Sequence, residues 1–235
     1  MDNLNILPIV DEVIEKNGHL KDVHPNLPSI KKNFCILILG RVRSGKSTLI
    51  SNLLLNDNFY KDMSERVVIF SQTILIDSTS RFLKEKYEEE IYTEYDDSII
   101  ENIIETQRNT PENERILTTI LCDDMLGSIP KNSKIFYLTS RYRHFNINLI
   151  FTAQLFRSVP PVCRSNSNFI IICWNLIDVE VEKVAEEYGS LTNGDDKFMS
   201  IYKKNIQKDP YAFLSLNMES GQVLKNFKQE FKIEL

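Results

Sequence analysis

Five short apolar runs punctuate the chain: Phe34 to Leu39, Arg66 to Phe70, Ile116 to Cys122, Ile147 to Thr152 and Asn168 to Cys173. Each is continuous rather than alternating, the pattern of strands covered on both faces, as in parallel sheets. Between them lie segments with helical spacing of apolar positions: Lys46 to Leu55, Ser98 to Gln107, Ser133 to Phe145 and Val179 to Tyr188. Strand and helix in alternation predict an α/β fold with a doubly wound, mainly parallel sheet. Residues 1–33, with prolines at Pro8, Pro25 and Pro28, read as a lead-in arm. The rest, 34–235, reads as a single domain in which the stretch from Pro210 onward adds an antiparallel strand or two at one edge.

Composition narrows the class. With 235 residues, 42% hydrophobic and 26% charged, the chain can bury a full core, which excludes a disordered or fibrous protein. Cys35, Cys122, Cys163 and Cys173 are widely spaced and mostly within apolar runs, so they read as core thiols of a reducing compartment. His19, His24 and His144 make no metal-ligand spacing with them. No apolar stretch approaches the roughly 18 residues of a membrane span, and the N-terminus does not begin like a signal peptide, so an intracellular protein without an integral membrane segment is expected.

The segment Gly40-Arg41-Val42-Arg43-Ser44-Gly45-Lys46-Ser47-Thr48 joins the first strand to the first helix and fits the pattern G-x-x-x-x-G-K-[ST]. Glycines allow the turn in which successive N–H groups converge on phosphate oxygens. Lys46 is then placed to reach the β- and γ-phosphates of a nucleotide such as ATP, and Ser47 offers a hydroxyl to Mg²⁺. The helix that follows turns its positive end to the anion. A second cluster, Asp123 and Asp124, ends the apolar run from Ile116. Beside a triphosphate, Asp123 would hold Mg²⁺ and Asp124 would orient and deprotonate the attacking water.

Charge is segregated beneath a net value of −5. No Asp or Glu occurs from Met125 to Ile177, a stretch carrying Lys131, Lys134, Arg141, Arg143, Arg157 and Arg164, whereas Glu85 to Glu114 is strongly acidic. The first region could draw a polyanion and the second repel it.

The spacing from Lys46 to Asp123 resembles the branch of P-loop enzymes with an additional central strand, in which a polar residue ending the next strand senses the γ-phosphate. Gln154, after Phe151-Thr152-Ala153, stands in that place. The blocks Ile36 to Ser47, Ile120 to Met125 and Arg141 to Gln154, continuing through Arg157-Ser158-Val159-Pro160-Pro161, look like the genome-packaging ATPases of large double-stranded DNA viruses and virophages. These are poxvirus-type members of the FtsK–HerA class, with a RecA-like core. The likeness covers about Phe34 to Trp174. It implies a nucleotide loop at Gly40 to Ser47, a metal-binding acid at Asp123, a catalytic acid at Asp124 and a sensor at Gln154. It also implies an arginine finger at Arg143 or Arg164, supplied to a neighbouring subunit. Cellular members usually carry Glu where Asp124 stands, and the glycine common before the arginine matched by Arg143 is Tyr142 here. The resemblance further implies ATP and Mg²⁺ as cofactors, double-stranded DNA as substrate, a homo-oligomeric ring, a capsid or portal partner, and a place in the host cytoplasm, viral factory or virion. From the residues alone, two other readings share the phosphate loop: a nucleotide-binding assembly scaffold without turnover, and a small-molecule kinase.

Overall fold

Residues 17–231 are described by the computed structural model of the chain. All five apolar runs are strands: β1 (Cys35–Leu39), β2 (Arg66–Ser71), β4 (Thr118–Asp123), β5 (Ile147–Ala153) and β6 (Phe169–Cys173). A two-residue strand, β3 (Ile91–Tyr92), joins them in parallel, and β7 (Phe213–Asn217), β8 (Val223–Lys225) and β9 (Gln229–Glu230) extend one edge antiparallel. The nine strands lie in the order β3-β2-β4-β5-β1-β6-β7-β8-β9. β5 therefore stands between the strand that leads into the glycine loop and the strand that ends in Asp123, which is the additional central strand expected from the sequence.

Side chains along β1 show why the runs are continuous. Cys35, Leu37 and Leu39 enter one buried cluster, while Ile36 and Ile38 enter another on the opposite face. With a period of two, every strand residue must be apolar if both faces are covered. One face is covered by α1 (Lys46–Leu55) and α2 (Arg81–Tyr87), through Ile50, Leu53, Leu54 and Leu83. The other carries α3 (Asp97–Asn109), α4 (Lys134–Thr139), α5 (Pro161–Asn166), α6 (Asp178–Tyr188) and α7 (Asp195–Asn205). None of the helices among the described residues is long and apolar enough to cross a membrane.

Three expectations need correction. The helix predicted over Ser133 to Phe145 is two pieces, α4 and a 3₁₀ turn at Tyr142–Phe145. Its hydroxyls compete with the helix: Thr139 Oγ1 donates back to the Ile135 carbonyl at 2.8 Å and Ser140 Oγ to that of Tyr137 at 3.1 Å. Asn146 then takes a left-handed conformation (φ 52°) that aims the chain into β5. Secondly, three antiparallel strands, not one or two, extend the sheet. Thirdly, residues 1–16 of the expected arm, Pro8 among them, lie outside the described residues, and residues 17–33 are not a free arm. Leu27 and Ile30 are buried, Tyr60 donates to the Pro28 carbonyl at 2.8 Å, and Asn17 and Asn33 donate to Asn146 Oδ1 at 2.8 and 3.1 Å. The four cysteines are free and buried as expected. Burial raises the Cys173 thiol to about 11 and that of Cys163 to about 12, so neither is a nucleophile at neutral pH.

Candidate active site

In a parallel sheet the strand ends with free carbonyls gather at one edge, and a crevice forms where the chain direction changes. Here that edge collects Gly40, Ser71, Asp123 and Gln154. The glycine loop occupies it in a tight form. Gly45 has φ 96° and opens α1, while Gly40 is packed so closely that an added Cβ would lie 2.5 Å from Ser44 Oγ and 2.8 Å from Cys173 Cβ. Only glycine fits at either position. Asn175, just after β6, braces the loop by accepting from the Arg41 N–H and donating to the Val42 carbonyl, both at 3.1 Å.

Lys46 is buried, and its ammonium donates to the Gly40 carbonyl at 2.6 Å and to that of Arg41 at 3.4 Å. It also lies 3.4 Å from Asp124 Oδ2, which accepts from Gln154 Nε2 at 3.2 Å. Three residues predicted to share one reaction centre thus meet around one carboxylate. Asp124 sits at φ 52°, a conformation tolerated by Asp, and its N–H is held by Thr152 Oγ1 at 2.8 Å.

Asp123 is held differently. Thr152 Oγ1 donates to its Oδ1 at 2.6 Å and Ser71 Oγ to its Oδ2 at 3.0 Å, from the two strands that flank β4. Burial pushes its carboxyl above the ordinary value, and the charge of Asp124 adds to this, against the lowering by Thr152, Ser71 and Lys46. Asp77 also faces the loop. Burial pushes its pKa up, but hydrogen bonds from Thr79, Ser47 and Ser80 outweigh this and hold the carboxyl below the usual value. A cavity of about 600 Å³ joins these groups, lined by the loop from Arg41 to Thr48 together with Asp77, Asp123, Asp124 and Gln154. The size suits a small-molecule ligand.

Mg²⁺ is a hard cation that takes oxygen ligands and keeps water and phosphate in its shell. Ser47 and the half-buried, hydrogen-bonded carboxylate of Asp123 both line the cavity, so the donor set fits. Sequence reasoning missed Ser71, Thr152, Asn175 and Asp77. The first two had a signal, since each is a hydroxyl residue at the end of an otherwise apolar strand. Asn175 and Asp77 had none.

Arg143 and Arg164 are not brought to this edge. Arg143 precedes β5 and pairs with Glu219 at 2.9 Å; Arg164, in the last turn of α5, pairs with Glu187 at 2.9 Å and lies 4.7 Å over the Phe156 ring. Both belong to the opposite edge of the sheet, a strand length of roughly 20 Å away. The acid-free stretch is also less cationic in space than in sequence. Lys134 pairs with Glu101, and Arg157 with Glu180, whose side chain is fully buried and also accepts from the Arg157 N–H at 3.2 Å. Among the described residues, four of the six cations are thus matched by acids from elsewhere, leaving Lys131 and Arg141, the latter stacked on Tyr137 at 4.2 Å.

Comparison with known proteins places this arrangement. The family model described as Poxvirus A32 protein matches residues 26–215. The genome packaging NTPase B204 from Sulfolobus turreted icosahedral virus 2, in complex with AMPPCP, aligns with a TM-score of 0.60 at 17% identity, over 86% of this chain and 100% of that chain. Its complex with AMP aligns at 0.59 and 16%, over 87% and 99%. The cytoplasmic domain of the Thermomonospora curvata type VII secretion ATPase EccC gives 0.56 at 12% identity, over 88% of this chain and 25% of that chain. No curated protein sequence matches. At such identities the structural likeness shows the fold alone, a mixed sheet with parallel strands covered by helices.

Proposed function

This chain belongs to the poxvirus A32 protein family of genome-packaging ATPases, and from that premise we propose that it is an ATP-hydrolysing motor that moves double-stranded DNA into a viral capsid. The observation that carries the reading is the meeting of Lys46, Asp124 and Gln154 at one carboxylate beside half-buried Asp123.

In this reading residues 34–235 act as one ATPase unit. The loop N–H groups from Arg41 to Thr48 and the Lys46 ammonium bind the phosphates, and Ser47 and Asp123 would hold Mg²⁺. A cation held there would supply charge neutralisation for the triphosphate. Asp124 orients a water and takes its proton as the water oxygen bonds to the γ-phosphorus. The bond to the β–γ bridging oxygen breaks, giving ADP and phosphate. Gln154, bonded to Asp124, registers the terminal phosphate. Arg143 or Arg164, on the far edge, would serve the site of the next copy in a ring, where a guanidinium stabilises developing charge. DNA would be held by its phosphates, since a packaging motor must ignore sequence.

The test is ATP hydrolysis by the full chain with and without long duplex DNA. Stimulation by DNA that fades as salt rises is expected. Turnover that ignores DNA but rises with a small phosphate acceptor would make the protein a kinase, and nucleotide binding without turnover would make it a scaffold.

Asp123 gives a pH signature. Its raised pKa means that it binds a proton more tightly in the folded chain than in the unfolded one. Its contribution to stability is therefore full below the ordinary value of 3.8 and is lost as pH rises through the raised folded value. Above that, the partly desolvated anion is a cost that Mg²⁺ would relieve. Added Mg²⁺ with nucleotide should thus raise the melting temperature more at neutral pH than at acid pH, and Asp123→Asn should flatten this dependence. An equal Mg²⁺ effect in wild type and variant would remove Asp123 from the cation site.

A further inference from the structure

A second cavity, of about 550 Å³, adjoins the phosphate cavity and shares Ser44, Gly45, Thr48 and Tyr211 with it. Its other walls hold three aromatic rings, Phe59, Phe213 and Phe227, beside Leu49, Asn52, Cys173 and Asn226. Phe227 stands edge-on to Phe213 and Phe59, with ring centres 4.6 and 6.0 Å apart. Tyr211 stands where the two cavities meet. Its Cδ1 comes within 3.4 Å of the point where a Gly45 Cβ would be, its ring leans on Trp174 at 6.2 Å, and yet the residue is 68% exposed.

Backbone strain marks the same place. Nine non-glycine residues among those described have positive φ, and six of them are Asn or Asp, which tolerate it. The other three are Arg43 (64°), Tyr211 (67°) and Phe227 (59°), and all three line one or both of these cavities. Side chains of that bulk stay in the left-handed region only where their surroundings hold them, and such residues cluster at ligand sites. Phe227 is held in the tight turn between β8 and β9, closed by the Lys228 N–H on the Lys225 carbonyl at 3.0 Å. Its neighbour Asn226, which also lines the cavity, accepts from the Phe213 N–H through Oδ1 at 2.9 Å, which fixes its amide.

The geometry points to this cavity as the seat of a nucleobase, with Tyr211 and the Phe59–Phe227 wall as its stacking faces. The inference rests on the proposed nucleotide site, because the base is that of the nucleotide whose phosphates the glycine loop would hold. The shared residues join the two cavities at the loop, polar on one side and aromatic on the other, in the order in which a nucleotide presents phosphate and base. The antiparallel strands β7, β8 and β9 thus have a role beyond closing the sheet edge. They and their turns carry Phe213, Asn226 and Phe227, and Tyr211 lies just before β7.

The test compares two ligands on the full chain in the presence of Mg²⁺: β,γ-methylene-ATP and inorganic tripolyphosphate, which has no base. The nucleotide should bind about 5- to 150-fold more tightly, the range for stacking one base on an aromatic side chain. Tyr211→Ala should remove most of that gap without changing tripolyphosphate affinity, and Tyr211→Phe should keep it. Phe59→Ser, from the opposite wall, should narrow the gap independently should Tyr211→Ala fail to fold. Equal affinity for the two ligands in wild type, or a gap untouched by Tyr211→Ala and Phe59→Ser, would overturn the base site while leaving the phosphate site standing. Binding of neither ligand in a manner that Lys46→Ala abolishes would overturn the phosphate site and this inference with it.

Discussion

Replacing Lys46 by Ala should lower ATP turnover by about 10²- to 10³-fold or more, the loss seen when a single fixed donor to developing charge is removed. The side chain is buried, and its ammonium is held by the Gly40 and Arg41 carbonyls in the turn that would enclose the phosphates. It therefore needs little reorganisation as charge moves onto the β–γ bridge. Nucleotide affinity should fall too, because the same cation meets the ground-state phosphates. Lys46→Arg should be nearly as damaging, since a planar guanidinium cannot fill the place of a compact ammonium between two carbonyls. Steady-state phosphate release together with direct nucleotide binding checks both. Turnover within a few-fold of wild type in Lys46→Ala would dismantle the proposed site.

Asp124→Asn should separate binding from chemistry. Asn tolerates the positive φ of this position as well as Asp does, and its amide can still meet Gln154, so the backbone and the loop should stay in place. What is lost is the ability to take a proton from water. General-base removal costs about 10²- to 10⁴-fold, so kcat should fall by that order while nucleotide affinity stays within a few-fold. A variant that loses binding and turnover in parallel would mark Asp124 as a structural partner of Lys46, not as the base.

Much of this was legible in the sequence because it is local. The glycine loop, its strand and its helix are contiguous, so spacing alone gives the turn, the ammonium and the hydroxyl. Asp123 and Asp124 were legible because a buried strand that stops in two acids is chemically odd. Gln154 came from resemblance, and the position of β5 between β1 and β4 now explains why it reaches Asp124. What stayed hidden is long-range. The cations from Lys131 to Arg164 look like a basic patch until Glu101, Glu180, Glu187 and Glu219 arrive from distant segments. The aromatic cavity was equally invisible, since Phe59, Tyr211 and Phe227 are far apart in the chain and nothing in composition marks a tyrosine at φ 67°. The break between α4 and the Tyr142 turn was hidden for another reason: helical spacing of apolar positions persists through it, and only the hydroxyls at Thr139 and Ser140 hint at the stop.

The clamp of Arg157 onto Glu180 has a mechanical implication. Gln154 and Arg157 are three residues apart, and Arg157 grips α6 through both its backbone N–H and its guanidinium. The linkage is stiff, for Phe156 between them is buried against Tyr188 at the far end of the same helix, with ring centres 6.0 Å apart. A displacement of Gln154 would thus act as a short crank on a rigid rod three turns long, and a small change in what Gln154 touches would become a tilt of α6. Glu187, near the end of that rod, holds Arg164, so the stroke would arrive at the opposite pole of the molecule.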